Sequence, residues 1–381
     1  MNFTDEQKII QETVRKIAQQ ELAPRSAEVD RDQTFPADGL QQLAKAGFLG
    51  MAVPEALGGG GTDTLSFVLA VEAIAQGCAS TALLFLTHSI VSRALSTAGS
   101  DEQKSRFLPA MIRGERLGAL AATEPDAGSN PLAIATEAKA EGDDFVVNGT
   151  KVFITAAEEA EVYLVVLRTG QAKTPVDLSA LIIEKGTPGF SFGKKDEGMG
   201  LRGISGGELV FEDCRVPRVN LLGAENGYLG VAMSFAGLAM VGAAAISLGI
   251  AQGSVEATIA HAKTRVIADQ PIGHYQGIQF LVAEMNTVLA AARALTYSAA
   301  QQLDGPQPAS PIPLYMAKLY ATETAIDVTH KALQVHGGSG YSRELPLERY
   351  YRDARGLTLH FTPSEMLKGM LGKMLMGMPP I

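Results

Sequence analysis

The stretch Ala122-Thr123-Glu124-Pro125-Asp126-Ala127-Gly128-Ser129-Asn130 gathers hydroxyls at Thr123 and Ser129 around a glycine in a turn. Hydroxyls and free backbone N–H groups in such a turn form a donor set suited to a polar heterocycle and its phosphates. The same residues also read as a hydroxyl-rich turn leading into a β region. Arg265 offers a planar guanidinium fork that matches phosphate oxygens, or stands as a helix-surface arginine. The four glycines at 58–61 follow Val53-Pro54 rather than a strand, so they lack the setting of a dinucleotide loop and read as a flexible or backbone-close loop. Cys78 and Cys214 stand far apart without metal-ligand spacing, which excludes a disulfide framework and a cysteine-based zinc site; no metal is expected.

Three regions of different texture must position these groups. Thr4 and Gln7 form a capping box ahead of Ile10, Val14 and Ile17 at helical spacing, and helical patterns follow at about 37–47, 64–77, 80–97 and 101–112, the last capped by Asp101. From about Leu117, short β-branched and aromatic segments alternate with turn residues: Asp144–Val147, Val152–Thr155, Val162–Arg168, Leu178–Glu184, Phe190–Phe192 and Glu208–Phe211. Asn148-Gly149 reads as a hairpin turn between the first two, and the whole as a small antiparallel barrel or sandwich. Long helices then fall near 227–263, 273–303, 311–336 and 363–376. The expected fold class is α+β multidomain: an N-terminal helical domain (1–116), a middle β-barrel (117–224) and a C-terminal four-helix bundle (225–381).

Composition excludes several functions. A net charge of −9 with no clustered Lys/Arg run argues against a nucleic-acid partner. Gly227 to Val255 carries no charge and is long enough to span a bilayer. Its Ala, Gly and Ser content and lack of a basic flank favour a buried helix packed closely on others, so no membrane association is expected. The N-terminus shows no basic region, apolar signal or Arg-rich transit segment, and with the two cysteines this implies a cytoplasmic protein.

Further segments extend the pattern: Asn148-Gly149-Thr150-Lys151-Val152-Phe153-Ile154-Thr155, Gln334-Val335-His336-Gly337-Gly338-Ser339-Gly340-Tyr341 and Glu348-Arg349-Tyr350-Tyr351-Arg352-Asp353-Ala354-Arg355. With Pro54, Glu55, Gly58 and Gly59, with Arg215-Val216-Pro217 and with Asn220-Leu221-Leu222-Gly223, the chain resembles the acyl-CoA dehydrogenase family along essentially its whole length. The resemblance implies the same three-domain architecture, FAD as cofactor and a homotetramer (or dimer). It implies an acyl-CoA or acyl-carrier-protein thioester as substrate, and an electron-transferring flavoprotein as acceptor. Carried onto this chain, Thr123 and Ser129 would bond the isoalloxazine and pyrophosphate, Phe153 would stack beside the flavin, and Thr155 would meet its N5 edge. Across a subunit boundary Arg265 would pair with the pyrophosphate, with Gln276, Gln334 and Gly338 along the adenosine half. Ala268-Asp269 stand where the family normally has Phe-Gly, placing a carboxylate near that pyrophosphate. The family has a DNA-binding branch, which the acidic balance disfavours.

The family's reaction needs a polarised thioester carbonyl, a base for the α-proton and a β-hydride facing the flavin. Leu359-His360-Phe361-Thr362-Pro363-Ser364-Glu365 matches the segment that usually holds the catalytic glutamate, and the base position falls on Phe361. The family's alternative position, on the first long bundle helix, falls on Ala239, followed by Met240. His360 is the nearest substitute base, with His88 a weaker one, and the Phe361 backbone N–H retains the capacity to polarise the carbonyl. The leading expectation is an FAD oxidoreductase performing α,β-dehydrogenation or a variant of it. Alternatives are a flavin-assisted decarboxylase, lyase or reductase on a related thioester, and a non-catalytic flavin-binding subunit.

Overall fold

The computed structural model describes residues 2–170, 177–305 and 310–379. Helix α1 (Asp5–Ile17) starts at the expected box, in which Gln7 N donates to Thr4 Oγ1 and Thr4 N to the Gln7 side chain. It continues as a π-helical turn, Ala18–Leu22. Next come α2 (Ser26–Asp32), α3 (Ala37–Lys45), α4 (Thr64–Gly77), α5 (Ala79–Ala98) and α6 (Asp101–Ile112). Helices α4 and α5 are apolar all round, and every residue from Leu65 to Ala75 and from Ala79 to Ser92 is buried. The cap of α6 is Ser100 rather than Asp101: its hydroxyl accepts from Gln103 N, and Asp101 becomes the first helical residue, where its charge favours the N-terminus. The glycines at 58–61 form a backbone-close loop, with Gly60 N and Gly61 N donating to Gly50 O and Val53 O.

The β domain is one eight-stranded sheet. Its strands are β1 (Gly118–Ala121), β2 (Glu137–Glu141), β3 (Asp144–Ile154), β4 (Val162–Arg168), β5 (Leu178–Glu184), β6 (Phe190–Lys195), β7 (Gly207–Pro217) and β8 (Leu221–Leu222). The order is β6-β7-β3-β2-β4-β5-β8, with β1 beside β4. β1 and β2 run parallel to β4, and the other pairs are antiparallel. Phe145, Val147, Tyr163, Val165, Ile183 and Phe211 alternate inward to form its core. Asn148-Gly149 is not a hairpin turn, because β3 runs straight through it. The register against β7 shifts there, Asp213 N donates to Asn148 Oδ1, and Gly149 lies too close to Thr136 for any side chain. The pair makes a β-bulge, which uses the same residues for the same backbone freedom.

The C-terminal region holds α7 (Tyr228–Thr264), a hairpin of β9 (Val266–Ile267) and β10 (Gln270–Pro271), α8 (Gln276–Leu303), α9 (Pro311–His336), α10 (Gly338–Tyr341), α11 (Leu347–Leu357) and α12 (Ser364–Leu375). By length and composition α7 and α8 could each cross a membrane, but every residue of α7 from Ala239 to Ala251 is covered within the chain. Its glycines explain the composition: a Cβ on Gly249 would stand 2.7 Å from Ala75 Cβ, and Gly242 presses on Leu86. Small residues thus bring α7 directly onto α4 and α5. Helix α11 was not foreseen. Its Glu-Arg-Tyr-Tyr-Arg-Asp-Ala-Arg sequence is mostly charged, and only Leu347, Asp353, Ala354 and Leu357 turn inward.

Candidate active site

The turn carrying Thr123 and Ser129 is fixed from beneath. Glu124 points inward, where Oε1 accepts from Lys151 Nζ (2.7 Å) and Thr136 N (3.0 Å), and Oε2 accepts from Ala135 N (2.6 Å). Lys151 Nζ donates also to Ala122 O at 3.2 Å. Lys151 is 0% exposed and Glu124 5%. Burial drives the lysine down to about 8 against the pull of Glu124. Burial also raises Glu124, but Lys151 and the backbone donors outweigh it and hold that carboxyl below its usual range. The pair is therefore charged at neutral pH. It was missed in the sequence although both partners lie inside quoted motifs, because a lysine two residues after an Asn-Gly reads as a surface residue.

With the turn anchored, Val152 N donates to Thr123 O, which sets Thr123 beside the end of β3. Thr123 is half-buried and Ser129 exposed. A second register shift between Lys151 and Ile154 throws Phe153 outward, with φ of 57° and 73% of its surface exposed. A bulge that re-aims an apolar ring into the open makes a platform for a planar partner. Thr155 lies just beyond, buried.

The strand end is tied to α11 through Leu201–Ser205. Ala156 N and Ala157 N donate to Ile204 O and Ser205 O, Gly203 N to Ser80 Oγ, and Leu201 N to Asp353 Oδ1 at 2.6 Å. Asp353 is buried, and burial raises its carboxyl to about 6. Gly356, one turn along α11, faces Leu201 on one side and His360 on the other; a Cβ there would lie 2.9 Å from Leu201 Cδ1 and 3.8 Å from His360 Cε1. The β3 end and the His360 segment are thus brought to one place.

His360 is half-buried, and its Nδ1 lies 2.9 Å from Gly356 O. A carbonyl can only accept, so Nδ1 carries the proton and Nε2 keeps the free lone pair of the neutral ring. Burial and the nearby Lys318 charge lower the ring's pKa, opposed by the Gly356 bond. Phe361 has φ of 62° and packs on the main apolar core that also contains Ala239, which is 3% exposed. Both base-equivalent positions therefore belong to the apolar core of the helical regions rather than to a polar site. The Phe361 N–H donates to no acceptor among the described residues. His88 is drawn elsewhere: it is 1% exposed, its Nδ1 accepts from Gly118 N at 3.2 Å, and burial lowers it to about 4, so it joins α5 to β1 as a neutral acceptor.

The other predicted residues gather at the opposite end of the bundle. Arg265 follows α7, Gln276 opens α8, and Gln334 and Gly338 flank the end of α9, all exposed. Stacked rings of His261 and His336 (4.3 Å between centroids) join the ends of α7 and α9, and Ile272 N donates to Arg265 O. Arg265 has no ion-pair partner among the described residues, and Asp269 does not pair with it. The two groups thus stand on different elements, a polar turn with an aromatic platform and a helix-end cluster with a free guanidinium. Among the described residues no cluster of three or more His, Cys, Asp or Glu could hold a metal.

A β domain presenting an open aromatic ring beside hydroxyls, set between two helical domains, offers a surface suited to a flat heterocyclic cofactor. Residues 4–115, 119–214 and 229–376 match the N-terminal, middle and C-terminal domain profiles of acyl-CoA dehydrogenase, and the chain belongs to that family. It is similar to the acryloyl-CoA reductase (NADH) of Anaerotignum propionicum, 40% identical over 98% of this chain and 95% of that protein. Among solved structures it is similar to butyryl-CoA dehydrogenase from Megasphaera elsdenii (TM-score 0.96, 33% identical, 99% of each chain). It is also similar to a chain solved in work on the electron transferring flavoprotein of Acidaminococcus fermentans (TM-score 0.96, 35% identical, 98% of this chain and 99% of that one). The family is FAD-dependent, and the protein is a flavoenzyme of the oxidoreductase class acting on an acyl thioester.

Proposed function

We propose that this enzyme removes the α-proton of an acyl-CoA thioester with His360 in place of the family's carboxylate. The observation that carries this reading is the hydrogen bond from His360 Nδ1 to Gly356 O, which leaves Nε2 unprotonated in a ring whose centroid lies 6.5 Å from that of Phe361. A base must be neutral before it reacts, and burial together with Lys318 keeps this imidazole neutral at physiological pH. The Phe361 N–H is free to polarise the thioester carbonyl.

The residues fit FAD: Thr123 and Ser129 would hold the ring and pyrophosphate, Phe153 would face the ring system, and Thr155 would lie at its edge. When bound, FAD supplies the two-electron acceptor for the β-hydride. Arg265, Gln276, Gln334 and Gly338 would hold the pyrophosphate and adenosine of a neighbouring protomer's FAD, because they stand apart from the first group on other elements. That division supports a homotetramer or dimer, as do exposed apolar side chains on α8 such as Phe280. The likeness to a chain from work on an electron transferring flavoprotein supports such an acceptor, and two buried free cysteines fit a cytoplasmic location.

A reductase working in the reverse direction is the second reading, favoured by the similarity to acryloyl-CoA reductase. Anaerobic mixing of the FAD-loaded enzyme with a panel of acyl-CoAs tests the first: saturated thioesters bleach the flavin. Reoxidation of chemically reduced enzyme by enoyl-CoAs, without bleaching by saturated ones, supports the second. No spectral response to any thioester refutes both.

A further inference from the structure

Lys318 is a lysine that the reaction does not use and the core does not need. It sits in the middle of α9, 0% exposed, with no carboxylate in salt-bridge range among the described residues. Among the described residues the one hydrogen-bond partner of its Nζ is a backbone carbonyl, Thr362 O, at 2.8 Å. An ammonium out of water without a counter-charge is unfavourable, and a methionine would fill the same volume without that penalty. The bond it makes is to the segment that carries His360 and Phe361.

That segment needs holding. It turns sharply between α11 and α12, Phe361 adopts a left-handed φ of 62° that side-chain-bearing residues disfavour, and the Phe361 N–H has no acceptor among the described residues. Ser364 N donates to Thr358 O across the base of the turn, and Lys318 alone reaches in from α9 to grip its tip.

We propose that Lys318 is a positioning residue that clamps the Thr362 carbonyl, and thereby fixes His360 and the Phe361 N–H in the geometry the thioester meets. The role attributed to His360 rests on the function proposed above; the clamp itself does not. Burial lowers the lysine to about 8, against opposing pulls from Glu323 of its own helix and Glu365 of α12. The third titratable neighbour is His360 of the clamped segment. Helix α7, packed along α9, carries no charge from Gly227 to Val255. On α11 and α8 the charges are engaged elsewhere: Arg352 with Asp30 and Glu348, Asp353 with Leu201 N, Arg293 with Glu72. The ammonium is therefore present below about pH 8 and lost above it, so the grip weakens as the solution becomes alkaline.

Amide hydrogen exchange on the FAD-loaded full chain, without substrate, tests this. Lys318→Met raises exchange at the hydrogen-bonded amides of Leu359, His360 and Ser364 by about tenfold or more, and Lys318→Arg restores most of the protection. The sequence has no tryptophan, so Phe361→Trp supplies a single tryptophan that can be excited apart from the tyrosines. Its emission shifts through about pH 8, and adding Lys318→Arg removes that shift because a guanidinium stays charged. Unchanged exchange in Lys318→Met overturns the proposal. If that variant does not fold, an alkaline emission shift that persists in the Lys318→Arg pair overturns it equally. A wild-type enzyme that bleaches with no thioester would refute the function above, while exchange and emission still decide the clamp.

Discussion

The two ends of the candidate active site are each held by a fully buried lysine, and the lysines are held in opposite ways. Lys151, under the cofactor turn, meets the Glu124 carboxylate at 2.7 Å and a carbonyl, inside a set of donors that satisfies the acid completely. Lys318, under the His360 segment, meets a carbonyl only. Burial lowers both to about 8. The paired lysine makes a strut with its counter-charge built in. The unpaired lysine, with no carboxylate in salt-bridge range among the described residues, is held by a carbonyl alone. The paired lysine lies beneath the turn proposed to hold the cofactor, and the unpaired one beside the segment proposed to meet the substrate.

Removing Glu124 breaks the comparison most severely. Glu124→Ala strands a buried ammonium and frees two backbone N–H groups, and is expected to cost ~3–5 kcal/mol, read by denaturant unfolding, with loss of bound FAD. Glu124→Gln, which keeps the volume, is expected to fall between this and wild type. Unfolding free energies equal to wild type would show that the pair is not a strut.

At the other end the effects are on rate. His360→Gln is expected to lower thioester-dependent flavin reduction by ~10²–10⁴ with the FAD complement unchanged, as stopped-flow absorbance would measure. The pH profile sharpens this. A His360 pKa lowered by burial leaves the ring an effective base from below its usual ~6.5 upward, so activity rises through a pH lower than that. It then falls above about 8 as Lys318 loses its proton. That alkaline loss is not a loss of fold. A lysine with a depressed pKa destabilises the folded state most when it is protonated, so between about 8 and its unfolded pKa the penalty is relieved rather than increased. Activity should drop over that range while Tm does not. Phe361→Glu places a carboxylate at the family's usual position and is expected to raise dehydrogenation in a variant that already lacks His360; no gain with FAD still bound would argue against that alignment.

The smallest effect concerns the β9–β10 turn. Ala268 and Asp269 both have positive φ, 48° and 64°, the geometry that favours Asn-Gly, so Asp269→Gly relieves strain by ~1 kcal/mol and removes a carboxylate from the Arg265 side. Tm and FAD affinity should both rise slightly.

Much of this was legible in the sequence. The helices from 37 to 112 and the four long C-terminal ones fall within a few residues of expectation, because their caps and apolar periods are local signals. The misreadings are local signals with two structural uses: Asn148-Gly149 supplies bulge freedom as readily as a turn, and Ser100 competes with Asp101 for one cap. Lys151 and Lys318 escaped notice for a different reason. Their meaning lies in contacts 27 and 44 residues away in the chain, and composition treats a lysine as solvated. The stacked His261 and His336, which join the ends of α7 and α9, were hidden in the same way.

His360 is the residue proposed to take the α-proton. The most direct measurement is anaerobic reduction of the bound flavin by a saturated acyl-CoA, followed from pH 5 to 9 in wild type and His360→Gln. The account predicts a wild-type rate that rises on an acidic limb, and a variant slowed by ~10²–10⁴ that lacks the limb. A variant that reduces its flavin at the wild-type rate with the same limb would contradict it.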